Sequence, residues 1–235
     1  YEKYVYYLFH KPAGCVTAKQ DNLHKTVMDY FPSELQKIIA PVGRLDLDTE
    51  GLLLLTNDGD IVNKILRAGN HHEKEYLVTV NKPVTPEFLK GMASGVPILD
   101  TVTKPCVIEQ TGKNSFKIIL IQGLNRQIRR MCEYFDYRVV TLKRVRIMHI
   151  QLGHLKPGTY RNLTEGELTR LQELLKHSSG LPIAVQKQKQ KEALAQNQEK
   201  KNYNEKQKSV AQRKNDGNRS RTGVVHGKSS KKSGQ

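Results

Sequence analysis

The chain has 235 residues, 37% of them hydrophobic, and a formal net charge of +16. That is enough apolar content for one domain with a substantial core, and the basic excess points to a polyanionic partner, nucleic acid being the commonest. The charge is uneven: residues 181–235 hold fourteen Lys or Arg against four Asp or Glu, a net of +10, which leaves +6 before them. Cys15, Cys106 and Cys132 are far apart and form no CxxC pair, which argues for a reducing compartment and against a zinc site or disulfide framework. Apolar runs such as Leu52 to Leu55 are too short to span a bilayer, and no secretory signal is visible, so the expected location is the cytoplasm.

Taken in chain order, alternation at Tyr4, Tyr6 and Leu8 predicts an opening strand, ended by a turn at Lys11-Pro12-Ala13-Gly14. Gly51 to Thr56 reads as a strand buried on both faces. Asn57 to Asp60 is a turn feeding a helix with Ile61, Ile65, Leu66 and Ala68 on one side, where Asp58 and Asp60 serve as cap and turn residues. Tyr76 to Val80 is another strand. Thr85-Pro86-Glu87 starts a helix, with Thr as cap and Pro in first position. Further strands are predicted at Cys106–Ile108, Phe116–Ile121, Arg138–Leu142 and Val145–Leu152. A last helix starts at Thr164 to Glu167 with a capping-box pattern and directs Leu168, Leu171, Leu174 and Leu175 inward.

Many strands with few helices and no strict βαβ alternation predict an α+β domain on a mixed, mostly antiparallel central sheet. Its expected extent is residues 1–178. From 179 to 235 Lys, Gln, Asn, Ser and Gly dominate and apolar residues are isolated, which predicts a disordered basic tail.

Three segments carry groups capable of chemistry. Gly43 to Gly51 places Arg44, Asp46, Asp48 and Glu50 just before a buried strand. A carboxylate there requires a nearby cation, though on spacing alone the segment reads first as a solvated acidic turn; a carboxylate-metal site has no evident ligand pattern. The second is Gly123 to Met131. On a helix capped by Asn125, Ile128, Met131, Cys132 and Phe135 form the apolar stripe. Arg126 and Arg130 fall opposite that stripe, facing solvent or phosphate. Arg129 falls at its edge, either seeking a carboxylate or covering the helix flank. The third is Glu73 to Val78, where Tyr76 could stack on a base or pack in the sheet. His71 and His72 lack a third ligand, so no metal is expected.

Together these segments closely resemble the RsuA/RluB/RluE/RluF family of bacterial pseudouridine synthases. The matching pieces are Lys11-Pro12-Ala13-Gly14, Gly43-Arg44-Leu45-Asp46 through Thr49 and Gly51 to Gly59, Lys74-Glu75-Tyr76, Gln127 to Met131, and Leu142-Lys143-Arg144. They lie in the family's order across about residues 4 to 175. Asn63–Asn70, Gly95–Ile98 and Gln122–Ile128 look most like the RluF branch, whose substrate is large-subunit ribosomal RNA. The resemblance implies the family's catalytic fold, flanking helices around a central cleft, and cofactor-independent isomerisation of a uridine in 23S rRNA, with tRNA or small-subunit rRNA as alternative substrates. It makes Asp46 the nucleophile and Arg129 its ion-pair partner. Tyr76 and Leu142 line the base pocket, and Arg44 joins them in substrate binding. Lys74, Arg126, Arg130, Lys143 and Arg144 become RNA contacts. A monomer is expected, without membrane attachment. An S4-type RNA-binding domain usually precedes this catalytic domain, and nothing like it is present in this sequence. An inactive RNA-binding or ribosome-assembly protein on the same fold, and a metal nuclease using Asp46, Asp48 and Glu50, are the competing readings.

Overall fold

Four consecutive leucines at 52–55 have no polar side on which to face water, and they form the middle of a sheet covered on both faces. The computed structural model describes residues 3–68 and 72–176. In chain order the elements are β1 (Tyr6–Lys11), a 3-10 turn (Val27–Tyr30), α1 (Ser33–Gln36), β2 (Ala40–Val42), β3 (Glu50–Thr56), α2 (Gly59–Ala68) and β4 (Lys74–Val80). Then follow α3 (Pro86–Ser94), β5 (Pro97–Ile98), β6 (Thr101–Val102), β7 (Val107–Gly112), β8 (Ser115–Leu120), α4 (Gln127–Tyr134), β9 (Val139–Ile147), β10 (Ile150–Gln151), β11 (Tyr160–Asn162) and α5 (Glu165–Leu175). The main sheet runs β11-β1-β3-β9-β4-β8-β7, with β2 added on β3 and β10 on β9; β5 and β6 form a separate hairpin. Among the described residues its named strands pair antiparallel except β3 with β9. The predicted α+β class with a mixed, mostly antiparallel sheet is the one observed.

The alternation of β3 divides the core. Leu53 and Leu55 join Phe9, Val27, Met28 and Phe31 on one face. Leu52 and Leu54 join Ile61 of α2 and Leu171 and Leu175 of α5 on the other. A second cluster forms where Phe88 and Met92 of α3 and Ile128, Met131 and Cys132 of α4 pack on Val78, Phe116, Ile118 and Leu142. Between these clusters the sheet is left open, and that opening is the cleft described below.

The predicted strands Arg138–Leu142 and Val145–Leu152 are divided differently: β9 ends at Ile147, and after Met148 and His149 the chain turns back as β10. Lys143 and Arg144 do not interrupt the chain between Leu142 and Val145; β9 runs through them. Its register steps from Arg144 opposite Tyr76 to Arg146 opposite Glu75, so Val145 is a bulged extra residue. The bulge brings Leu142, Arg144 and Ile147 level with Val78, Tyr76 and Lys74. Charges inside a strand gave a false break because Arg144 is not on the surface. β1 likewise starts two residues later than predicted and keeps Lys11. Leu174, predicted to face inward, is 40% exposed. Arg138 to Leu142 begins a residue early, and α2, α3 and α5 begin where their turn and cap residues predict: Ile61 N donates to Asp58 Oδ1 (3.3 Å) and Phe88 N to Thr85 Oγ1 (3.2 Å). Asp60 pairs with Lys64 at 2.9 Å. The side chain of Ala68 and residues 177–235, including the tail, lie outside the described residues, as does His71. Among those described, no helix is long and apolar enough to cross a membrane.

α5 is fixed by its first turn. Glu167 accepts from Thr164 N at 2.9 Å, and Arg161 makes a fork on its carboxylate at 2.8 and 3.0 Å. The Arg161 hydrogen bond is the main reason the carboxyl is pushed down to about 2 from 4.5. A depressed carboxyl stabilises the fold above its unfolded pKa, and this contribution is lost as pH falls from about 4.5 towards about 2. Thermal melts of the wild type and of Glu167→Ala should therefore differ at neutral pH and converge near pH 2. A gap that persists unchanged at pH 2 would contradict that origin.

Candidate active site

The cleft between the two core clusters encloses about 500 Å³. Its floor is β4 and β9: Lys74 and Tyr76 beside Leu142, Arg144 and Ile147. One wall carries Ile65 and Leu66 of α2, which explains why Leu66 is half-exposed on an otherwise apolar helix side. The other wall is the start of α4 with the loop before it, and the loop of residues 43–49 closes one end. Five of the lining residues are Lys or Arg and one is Asp, so the cleft itself, and not merely the tail, suits an anionic ligand.

Asp46 sits at that end with its side chain 43% exposed. The backbone that carries it is tightly held. Thr49 N donates to Asp46 O at 3.0 Å, and Thr17 Oγ1 donates to Leu45 O at 2.8 Å. Beneath the loop lies Lys11, a fully buried lysine whose Nζ reaches Thr49 O (2.6 Å), Pro12 O (3.0 Å) and Leu47 O (3.4 Å). Burial pushes its pKa down, while Cys15, Asp46, Asp48 and Glu50 oppose that shift. A buried ammonium satisfied by three carbonyls fixes the course of residues 47–49. The sequence reading placed Lys11 in a turn and in a matching motif without giving it a role; nothing in the pattern marks a strand-end lysine as buried.

The arginines are arranged differently from the sequence expectation. Asn125 is not the cap of α4. Arg126 is, in the left-handed conformation at φ 49°, ψ 37°, so it stands before the helix and off its wheel. From there its side chain crosses to the 43–49 loop. It makes a fork on Asp48 at 3.1 and 3.0 Å and comes within 3.6 Å of Asp46 Oδ2. Arg129 is buried at the edge of the apolar stripe, as read, but it does not pair with Asp46. Its Nη2 donates to Asp48 O (3.0 Å) and Thr49 Oγ1 (3.2 Å) and lies 3.4 Å from Asp48 Oδ1. With its guanidinium tied to that backbone, Arg129 is directed at residues 48 and 49. The Arg126 hydrogen bond holds the Asp48 carboxyl below the usual range and lifts Arg126 in turn. Burial lowers Arg129.

Of the remaining predicted site residues, Arg44, Tyr76, Leu142, Lys74 and Arg144 all line the cleft. Arg144 is no surface contact: it is 6% exposed, donates from Nε to Leu52 O at 2.9 Å, and lies across from Tyr76. Burial, and then Arg144, lower the Lys74 pKa. Arg130 and Lys143 are outside the cleft. Arg130 braces the preceding loop, donating to Asn125 O and Oδ1 at 3.0 Å each. Lys143 belongs to the opposite face of β9, since Leu142 and Arg144 face the cleft. Lining residues to which the sequence reading gave no part in the site include Leu120, Gln122, Leu124, Ile147 and His72. Among the described residues no cluster of three or more His, Cys, Asp or Glu is placed to hold a metal ion.

The cleft thus brings a partly exposed carboxylate, a tyrosine and several arginines together on a surface that attracts anions. The family model of RNA pseudouridylate synthase matches residues 5–134. The chain belongs to the RNA pseudouridylate synthase family. The chain is 54% identical over 169 residues to a dual-specificity RNA pseudouridine synthase RluF of Salmonella typhi, covering 72% of this chain and 58% of that protein. It is 51% identical over 178 residues to the protein of the same name from Escherichia coli K12, covering 76% of this chain and 61% of the relative. It thus spans about three-fifths of the length of these relatives. A crystal structure of a pseudouridylate synthase superposes with a TM-score of 0.68 at 33% identity, over 73% of this chain and 75% of that one. The pseudouridylate synthase fold is therefore the fold of the described part of this chain.

Proposed function

We propose that this pseudouridylate synthase family member isomerises a specific uridine of 23S ribosomal RNA to pseudouridine, as a cofactor-independent monomer with Asp46 as its nucleophile. The observation that carries the reading is Asp46, partly exposed and within reach of Arg126, in the same basic cleft as Tyr76. The reaction breaks the N1–C1′ bond, turns the uracil and re-forms the bond from C1′ to C5; the hydrogen of C5 leaves to solvent and N1 gains one. The Asp46 carboxylate serves either by bonding to the sugar or by assisting a glycal-type intermediate. Tyr76 and Leu142 hold the flipped base, and Arg44 and Lys74 meet its flanking phosphates. The tail adds salt-dependent affinity for any RNA.

The dual-specificity name carried by the two relatives supports a second kind of RNA substrate, and tRNA is the one we propose. Against a metal nuclease stands the engagement of Asp48 by two arginines, which a divalent cation would have to displace. One assay separates the readings. The full chain is incubated with unmodified 23S rRNA or tRNA in excess EDTA, and pseudouridine is mapped by carbodiimide treatment and primer extension. Intact RNA with a new stop at one uridine is the expected result. Cleavage that needs magnesium would favour the nuclease, and unmodified, uncut RNA would favour a binding protein.

A further inference from the structure

The cleft has an apolar end. Leu120, Ile128 and Leu142 are buried there, Tyr76 and Leu124 pack against the same cluster, and all five line the cavity. Gln127, the first residue of α4, brings a polar side chain into this company. It lines the same cavity, is 5% exposed, and reaches Met131 of that cluster.

The neighbours of its carboxamide fix which way it is turned. Leu124 N can only donate, and it meets Gln127 at 3.1 Å, so the atom on that side is Oε1 and the other is Nε2. The two hydrogens of Nε2 then require acceptors. Among the described residues they find Gln122 Oε1 at 3.5 Å and the Met131 sulfur at 3.7 Å. The first lies at the outer limit of a hydrogen bond and already accepts from Lys104 N at 3.1 Å; the second is a thioether, a weak acceptor. A buried amide donor with such partners is under-satisfied, and a carbonyl oxygen entering beside it would be the better partner.

A flat, uncharged ring with a carbonyl on its edge matches these surroundings: apolar walls cover its faces and the single donor takes the oxygen. We propose that Gln127 reads the target base, Nε2 donating to a carbonyl oxygen of the uracil held at the apolar end of the cleft. This rests on the reading of the cleft as the site of uridine isomerisation. The base leaves C1′ with the electron pair of the broken bond, and O2 and O4 share that charge. The hydrogen bond therefore strengthens as the bond breaks, and its loss acts on the rate at saturating RNA.

The test uses two variants of the full chain in single turnovers on unmodified 23S transcript, with thermal midpoints measured alongside. Gln127→Glu keeps an oxygen for Leu124 N and removes the donor; Gln127→Met keeps the length and removes both. Each should slow the step at saturating RNA by about tenfold, the scale of one hydrogen bond. Transcripts ligated to carry 2-thiouridine or 4-thiouridine at the mapped target then replace the two oxygens one at a time. Sulfur changes the leaving base equally for every protein, so that effect cancels in the comparison. At one of the two positions it should cost the wild type about threefold more than it costs either variant, the coupling of two groups in contact. A wild-type rate for Gln127→Glu would leave the residue as a brace for the loop alone and overturn the proposal. Equal sulfur effects in all three proteins at both positions would overturn it as well. A wild type that makes no pseudouridine in any transcript would overturn the proposed function itself, a result obtained before any variant is compared.

Discussion

Replacing Asp46 by Asn should abolish pseudouridine formation while leaving RNA binding intact. The substitution keeps the size of the side chain and removes its charge, so the loop held by Lys11, Thr17 and Thr49 has no reason to move. On the proposed mechanism, what is lost is the carboxylate that acts on the ribose, and the amide cannot replace it. A loss of more than about a thousandfold is expected, the order found when the nucleophile of a covalent mechanism is removed. RNA affinity should stay the same or rise slightly, because one negative charge leaves a cleft lined by five cationic side chains. Rates from single turnovers and affinities from filter binding separate the two quantities. Retained turnover would remove Asp46 from the chemistry; equal loss of binding and turnover would mean that the site had collapsed.

Gly51→Ala should be the most damaging small substitution for stability. Gly51 is where β3 pairs in parallel with β9, opposite Arg144. A Cβ at this position would lie 2.2 Å from the Arg144 carbonyl oxygen and 2.6 Å from its nitrogen, and the residue's φ of +118° is itself unfavourable for any side chain. Both obstacles are backbone, in the strand that forms the cleft floor, so relief requires the central sheet to separate. A loss of about 3 kcal/mol or more is expected, which lowers the melting temperature by roughly 10 °C in a domain of this size. Gly59→Ala is the matched control: it opens α2, has nothing within 4 Å of its added Cβ, and should be neutral or slightly stabilising. Calorimetric melts of both variants check this. A Gly51→Ala protein that melts with the wild type would refute the close approach of β3 and β9.

The helices and buried strands were legible because their signals are local. Thr85 with Pro86, and Thr164 with Glu167, mark helix starts by hydrogen bonds completed within one turn, and Leu52 to Leu55 cannot sit at a surface. The short strands β2 and β11 were not legible, since their partners lie far along the chain and their few residues carry no period. The site divides in the same way. Cleft residues brought in by the ordered set of motifs, Arg44, Asp46, Lys74, Tyr76 and Leu142, do share one cavity. The pairing of charges within it was misread. A helical wheel assumes helical backbone at every position, and Arg126 departs from it by one left-handed residue. That single dihedral carries Arg126 to Asp48 and leaves Arg129 for the 48–49 backbone. Arg144 was misjudged for a different reason: it alternates with Leu142 along β9 and so faces the cleft floor, where its Nε is held by Leu52 O, a partner far away in the chain.

The most direct test of the account is tritium release from 23S transcript made with uridine labelled at C5. Joining C1′ to C5 expels the C5 hydrogen, so each uridine converted releases one label to water. The full chain should release label to a plateau of one per transcript, without cutting the RNA and with EDTA present, and Asp46→Asn should release none. A folded full chain that binds the transcript but releases no tritium from it or from tRNA would contradict the assignment.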